Sequence, residues 1–395
     1  MQMRNSAKTT LSTGTPLLPR FLVVLPTLEV GGAEVVTLKR LRRRALGEGD
    51  YHLVTLFESR GTTCGVPDHV TLHTLGCRNV AQSVARLARL IRTLKPDVID
   101  AQIIFAGIAA AGARVVARSD AALVVSEHGM PPTAEARSGV SRRATLWLMR
   151  RAYRRADAVI AVSDAVGDYL CRCVPALTPR VRVIYNPVVD DDLPALAAAP
   201  SGHPWLDDGV YSVVLAVGRL TPAKNLPLLV DAFAVLAESN PSARLVIVGE
   251  GAAHDDLAEQ IDRLSLAGVA QLVGYRENPF SFMSRAAVLA HAASTESFGN
   301  VLVEALACGT PVVALAASGG SAETFAGPPL GWWLTDRSPN AFAAGIAQAM
   351  TAPDAGEARR HHAARFNAAR GDGEYREAIA TVLARRDRRV GAPRA

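Results

Sequence analysis

The sequence predicts an α/β protein in which two doubly wound parallel sheets, each with its own core, face one another across a cleft. Three observations carry that expectation. The 395 residues exceed twice the ~150 of a typical domain, and 49% hydrophobic with 20% charged residues is the make-up of a globular chain. Short β-branched or leucine-rich runs alternate with helix-compatible stretches, as in a parallel sheet with crossover helices. The alternation breaks once near the middle and then restarts.

In chain order, residues 1–19 are polar, lack a continuous apolar run with a small-residue cleavage site, and read as a flexible leader. A first domain over 20–195 carries the strand runs FLVVLP from Phe21, YHLVTLF from Tyr51, DVIDAQ from Asp97, ALVVSEH from Ala122, AVIAVS from Ala158 and VRVIYN from Val181. After Asn186, proline, glycine and aspartate gather without periodicity in NPVVDDDLPALAAAPSGHPWLDDG, which places the linker. The second domain, 205–370, carries YSVVLAVG from Tyr211, ARLVIVG from Ala243, VAQLVG from Val269, AVLAHA from Ala287 and TPVVAL from Thr310. Residues 371–395 follow as a helix with a basic tail. Two sheets that present the carboxyl ends of their strands to one cleft suit a nucleotide-type ligand.

Composition excludes several classes. The five cysteines, Cys64, Cys77, Cys171, Cys173 and Cys308, form no CxxC pair and no zinc spacing, and their odd number argues against a disulfide scaffold. We therefore expect a reducing, cytoplasmic setting, no metal and no cofactor beyond a substrate. The longest apolar stretch, from Ile103 to Arg114, falls well short of the ~20 residues that span a bilayer. Charge is split: residues 1–200 carry 26 Lys and Arg against 17 Asp and Glu, whereas the remainder carry 17 against 20. A basic first half suits an anionic partner such as acidic lipid or a lipid-linked diphosphate. Nucleic acid is not supported, because no basic patch is interleaved with several exposed aromatics.

Three loops carry the chemistry. In LPTLEVGGAEVV, Gly31 and Gly32 lie between a strand and a helix beginning near Ala33, so bare backbone amides and the helix dipole favour a phosphate or sugar oxygen; a plain tight turn is the competing reading. In VGRLTPAKNL, Arg219 and Lys224 follow the strand ending at Val217. A guanidinium fork and an ammonium there can clamp a diphosphate and stabilise the charge that grows as it leaves; solvated surface charge is the alternative. Only four of the 43 basic residues are Lys, which draws attention to Lys224. In STESFGNVLVEALACGTPVVA, Ser297 reads as an N-cap, Phe298 to Cys308 as helix and Gly309 as its left-handed end. Glu296 lies just before that helix and Glu304 two turns inside it, roughly 10 Å away, too far for a retaining-glycosidase pair. The spacing suits one carboxylate on a sugar and the other on a ribose.

With GGAE at 31–34, SEH at 126–128, AVSDAV at 161–166, NP at 186–187, VGRLTPAKN from 217, IVGEGA from 247, GYRENP from 274 and the pair Glu296 and Glu304, the chain resembles the family 4 retaining glycosyltransferases of GT-B fold over nearly all of residues 21–375. The resemblance implies metal-independent transfer from a nucleotide-sugar, most suitably a UDP-sugar, to a glycan or lipid-linked acceptor in cell-surface polysaccharide or glycoconjugate assembly. It implies that Arg219 and Lys224 hold the diphosphate, Glu304 the ribose and Glu296 the donor sugar. Backbone amides of Phe298, Gly299, Asn300 and Val301 would seat sugar and phosphate, Gly31 and Gly32 would approach from the other domain, and Tyr275 and Arg276 would border the base. His128 matches a histidine near the transferred sugar, and the last helix would cross back to the first domain. The loop Ser318, Gly319, Gly320, Ser321, Ala322, Glu323 departs from the family's SGPxE pattern, which leaves the role of Glu323 open.

The segment from Ser141 plots as a helix with Leu146, Leu148, Met149, Ala152 and Tyr153 on one arc and Arg143, Arg150, Arg151, Arg154 and Arg155 on the other, Trp147 among the arginines. An interfacial helix shows that pattern, so peripheral contact with anionic membrane through the first domain is expected; a solvated face is the alternative. A nucleotide-sugar epimerase and a non-catalytic sugar-nucleotide binding protein are the competing functions.

Overall fold

The computed structural model describes residues 18–59, 63–130 and 139–391. The leader before residue 18 and the last four residues of the basic tail lie outside the described residues. The first sheet comprises β1 (Arg20–Leu25), β2 (Asp50–Thr55), β3 (Val70–Thr74), β4 (Val98–Gln102), β5 (Ala122–Glu127), β6 (Ala158–Ala161) and β7 (Val181–Val183). All pairings are parallel, in the order β3-β2-β1-β4-β5-β6-β7. β1, β4, β5 and β6 are buried almost throughout, the mark of a sheet covered on both faces.

The second sheet holds β8 (Ser212–Val217), β9 (Ala243–Val248), β10 (Ala270–Leu272), β11 (Val288–His291), β13 (Val312–Leu315) and β15 (Gly331–Leu334), in the order β10-β9-β8-β11-β13-β15 and again parallel. A small ladder, β12 (Thr295–Glu296) with β14 (Ser318–Gly319), stands apart at the cleft. The two α/β domains thus have the architecture expected from the alternation. Each sheet reverses direction of build once, between β1 and β4 and between β8 and β11, and such switch points open a crevice at the carboxyl ends of the strands.

The aperiodic segment after Asn186 is more structured than its composition announces. It forms the short helices Leu193–Ala198 and Pro204–Asp207 and is fastened to the second domain, where the Asn278 side chain donates to the Leu196 carbonyl and the Ser284 hydroxyl to that of Ala197. The chain crosses between domains twice at one place. Val188 and Val189 donate to the Phe366 carbonyl, and the Ala368 amide returns a bond to Val189. Tyr185, Phe298 and Phe366 pack there with ring centroids 5.4–5.7 Å apart. Past this crossing, the helix Ala368–Gly391 buries Tyr375, Ala378, Ile379 and Val382 in the core of the first domain, beside Phe21, Tyr51 and Val124.

Candidate functional site

The two switch points face each other. From the first domain, the helix Gly32–Arg42 begins directly behind the β1 loop, with Gly31 as an extended N-cap (φ −158°) that lacks a side-chain cap. Its backbone is not that of a tight turn. A Cβ at Gly31 would press on Glu34 Oε2 at 2.5 Å and come within 3.9 Å of the Arg219 guanidinium carbon, and one at Gly32 would make ordinary contact with Asn300 Nδ2 at 3.5 Å. The glycine loop therefore touches both the Arg219 loop and the Asn300 helix of the other domain. Glu34, one turn on, is raised by burial and pulled back in part by the Arg219 charge.

From the second domain, the loop after β8 brings Arg219 and Lys224 to a cleft that His291, at the end of β11, also lines. Lys224 Nζ donates to Glu296 Oε2 at 2.5 Å, and His291 Nε2 lies 3.3 Å from the same oxygen. Burial works against the Glu296 carboxylate, but His291 and the Lys224 ammonium outweigh it and hold its pKa at about 2. His291 itself is lowered by burial, with Lys224 adding to the effect. Lys224 is thus engaged by Glu296, rather than standing free beside Arg219. His291 was missed by sequence reasoning, although its position at the end of AVLAHA carried the signal.

The helix after Glu296 starts two residues later than its sequence suggests. It spans Asn300–Cys308, its N-cap is Gly299 at φ +89°, and Ser297 does not cap it. That left-handed φ is what favours glycine at this entry, and a Cβ there would also press on Leu302 Cδ1 at 2.8 Å. Gly309, at φ +87°, closes the helix as expected. Glu296 belongs to β12 and not to the helix, its backbone paired with Gly319. Glu304 is partly buried; burial raises its pKa, the charges of Lys39 and Lys224 lower it, and Asp190 opposes them. Lys39 comes from the first-domain helix and is paired with Asp190 at 2.6 Å, so Glu304 also faces both domains.

Direct bonds hold the cleft together. Asn186 Nδ2 donates to Asn300 Oδ1 at 2.9 Å, and Ser163 Oγ donates to the Ser297 carbonyl at 2.7 Å. Glu323 reaches across to the first domain, where its two oxygens accept from the Asp164 and Ala165 amides at 2.8 and 2.9 Å, the N-terminus of the helix Asp164–Cys173. The altered loop has a local reason as well. A Cβ at Gly319 would lie 2.0 Å from the Glu296 carbonyl, and one at Gly320 would lie 2.2 Å from Ser163 Oγ.

His128 follows β5, its Nε2 3.0 Å from Gln102 Oε1. Burial lowers its pKa to about 3, with Arg40 adding repulsion, so the ring is neutral. Tyr275 and Arg276 lie exposed on the loop after β10. Among the described residues no cluster of three or more His, Cys, Asp or Glu could hold a metal ion. No helix among them is long and apolar enough to cross a membrane. In the helix Gly139–Tyr153, Met149, Ala152 and Tyr153 are buried, but Leu148 is turned outward beside Trp147 rather than inward with the apolar arc.

Fold and site together define a two-domain α/β protein whose sheets face a cleft lined by Arg219, Lys224 and the Glu296 and Glu304 carboxylates. Comparison with known proteins is consistent with that class. The Glycosyltransferase Family 4 model matches residues 30–192, and the Glycosyl transferases group 1 model matches residues 206–368. The chain belongs to the family 4 type of GT-B glycosyltransferases. It is 28% identical to an N-acetylgalactosamine-N,N'-diacetylbacillosaminyl-diphospho-undecaprenol 4-alpha-N-acetylgalactosaminyltransferase of Campylobacter jejuni over 57% of this chain and 59% of the relative. It is 36% identical to the D-inositol 3-phosphate glycosyltransferase 2 of Catenulispora acidiphila, over 53% of each. The chain thus spans a little over half the length of these curated relatives. In fold it is similar to Anabaena HepE, solved in complex with UDP and glucose, with a TM-score of 0.69, 24% identity, and coverage of 94% of this chain and 99% of that one.

Proposed function

We propose that the chain transfers a hexose or N-acetylhexosamine from a nucleotide-sugar, most suitably a UDP-sugar, to a glycan or lipid-linked acceptor, with retention at the anomeric carbon. The observation that carries this reading is the convergence of Arg219, Lys224, His291 and Glu296 at one switch point, facing Gly31 and Gly32 at the other. The HepE complex with UDP and glucose and the diphospho-undecaprenol named for the Campylobacter relative support the donor and acceptor classes.

In this reading Arg219 binds the diphosphate through its planar fork, and Lys224 supplies a second positive charge as the phosphate departs. These two cations take the charge-neutralising part that a divalent metal plays in other transferases. Glu296, kept ionised, accepts hydrogen bonds from donor-sugar hydroxyls, and Glu304 accepts from the ribose. Tyr275 and Arg276 border the base. Neutral His128 accepts from a sugar hydroxyl. Retention follows when the acceptor attacks from the face the leaving phosphate vacates, the phosphate oxygen taking the acceptor's proton.

Thermal unfolding in chelator with UDP, GDP, ADP and their sugar conjugates tests the donor, since ligand at ~100 times its dissociation constant adds about 2.7 kcal/mol. A shift with one nucleotide family supports the reading, and no shift with any removes it. Product analysis separates transfer from epimerisation: an altered free sugar-nucleotide without acceptor use would mark an epimerase. The exposed Trp147 (61% accessible) beside Leu148 (41%), with the Arg151 guanidinium 5.9 Å from the Trp147 ring, supports peripheral contact with an anionic membrane. Sedimentation with anionic vesicles at low salt is expected to fall on Trp147→Ala; equal recovery with and without vesicles would remove this part.

A further inference from the structure

A buried polar network runs from the terminal helix to His128, and none of its other members serves the donor directly. Tyr375, wholly buried, donates its hydroxyl proton to the Asp100 carboxylate, 2.8 Å from both oxygens. Ser126 Oγ lies 2.9 Å from the same hydroxyl, and Gln102 Nε2 donates to it at 3.3 Å. The Arg40 guanidinium lies over the Tyr375 ring at 4.2 Å. Burial raises the Asp100 pKa to about 6, with the Tyr375 hydroxyl and the Arg40 charge pulling against that rise, so the carboxylate is ionised above that pH.

The polarity of the chain follows from proton counting. Tyr375 has one proton, and an ionised Asp100 can only accept it. The Tyr375 oxygen is then left to accept, so Gln102 must turn its NH2 group toward it. That choice aims the Gln102 carbonyl oxygen at His128, which can meet it only by donating from Nε2. The remaining nitrogen, Nδ1, is buried and has no hydrogen-bond partner among the described residues. A buried acceptor left unpaired calls for a partner, and a hydroxyl arriving in the cleft can supply it.

The backbone beside Gln102 is itself unusual. Ile103, which turns β4 into the helix Ile103–Ala117, sits at φ +70°. A β-branched residue at positive φ is a true outlier, of the kind that persists where surrounding structure over-determines a functional geometry. It lies at the junction where β4, carrying Gln102 as its last residue, turns into that helix.

We propose that Tyr375 is a positioning residue for the transfer: acting through Gln102, it holds His128 as the Nε2–H tautomer and so presents an unprotonated Nδ1 to a hydroxyl of the donor sugar. The assignment rests on the transferase reading of the cleft for its ligand, but not for the tautomer. It makes the last helix part of the catalytic apparatus as well as of the first domain's core.

Nitrogen-15 NMR of histidine-labelled full-length protein, with His128 assigned from a His128→Asn sample, reads the tautomer directly. The wild type is expected to show Nε2–H alone. Tyr375→Phe, which keeps the ring under Arg40, and Gln102→Met, which leaves the terminal helix intact, should each admit the Nδ1–H form. Each should lower kcat about three- to tenfold, the worth of one neutral hydrogen bond, with a smaller change in donor KM. A wild type in the Nδ1–H form overturns the proposal, as does Tyr375→Phe with tautomer and kcat unchanged. Should Tyr375→Phe fail to fold, an unchanged Gln102→Met overturns it alone. The expected tautomer shift in a chain that transfers from no donor sinks the transferase reading and leaves the relay standing.

Discussion

Glu296 is a partly buried carboxylate that its neighbours keep charged, and its ion pair with Lys224 lets two roles be told apart by mutation. Lys224→Met removes the charge facing both Glu296 and the leaving phosphate, so we expect kcat/KM to fall about 10²- to 10³-fold and the UDP-induced thermal shift to shrink. Glu296→Gln leaves both cations in place and should abolish transfer while keeping the shift with UDP; loss of that shift would contradict the division. A second carboxyl behaves oppositely. Glu127, fully buried, is raised by desolvation to about 8, with the Tyr153 hydroxyl donating to Oε1 and Oε2 unpaired among the described residues. Between about 4.5 and about 8 the folded state therefore binds a proton that the unfolded state has released, and stability falls as pH rises through that window. Asp100, raised by burial to about 6, adds the same sign over a narrower range. Urea unfolding at the two ends of the window is expected to show a much smaller pH effect in Glu127→Gln than in wild type; equal slopes would refute the assignment.

The helix Asn300–Cys308 enters through Gly299, whose positive φ strains any L-residue and whose added Cβ would press on Leu302. Gly299→Ala should cost about 1–2 kcal/mol in urea unfolding, the penalty of a left-handed L-residue, and should shift the Leu302 side chain, whose Cδ1 would lie 2.8 Å from the new methyl. This helix shows how far the sequence could be read. Its end at Gly309 was legible because glycine after an apolar helical run has one common explanation. Its start was not, because Ser297 has the chemistry of an N-cap while its carbonyl is spent on Ser163, a partner 134 residues away. Strands followed the same rule. Those with uninterrupted apolar runs, such as LVV in β1 and VVL in β8, were visible as sequence, whereas the edge strand β3 (VTLHT) is largely exposed and gave no apolar signal. Loop contents were legible too: Arg219, Lys224 and the two glycines stood out from residue type and strand-end position. The partners that complete the site come from distant segments that no local pattern links: His291 for Glu296, Asn186 for Asn300, Ser163 for the Ser297 carbonyl and Tyr375 for Gln102.

At the scale of the molecule, the closed cleft rests on few polar ties, of which the Glu323 cap is charged and double. Glu323→Gln keeps an acceptor but removes the charge at the helix N-terminus. In solution scattering without nucleotide it should show a larger radius of gyration than wild type, and saturating UDP should erase the difference; identical profiles would show that the cap does not set the cleft. The charge asymmetry of the sequence acts at this scale as well, because the terminal helix brings Arg386 and Arg389 onto Asp97 and Asp157 of the basic domain. That helix has a consequence for how the protein is made. Tyr375, Ile379 and Val382 are among the side chains that complete the first domain's core, yet they leave the ribosome only after the entire second domain has been translated. The first half of the nascent chain must wait, incompletely packed, while the second folds autonomously. The usual order of vectorial folding is inverted, and the domain made first is the last to be finished.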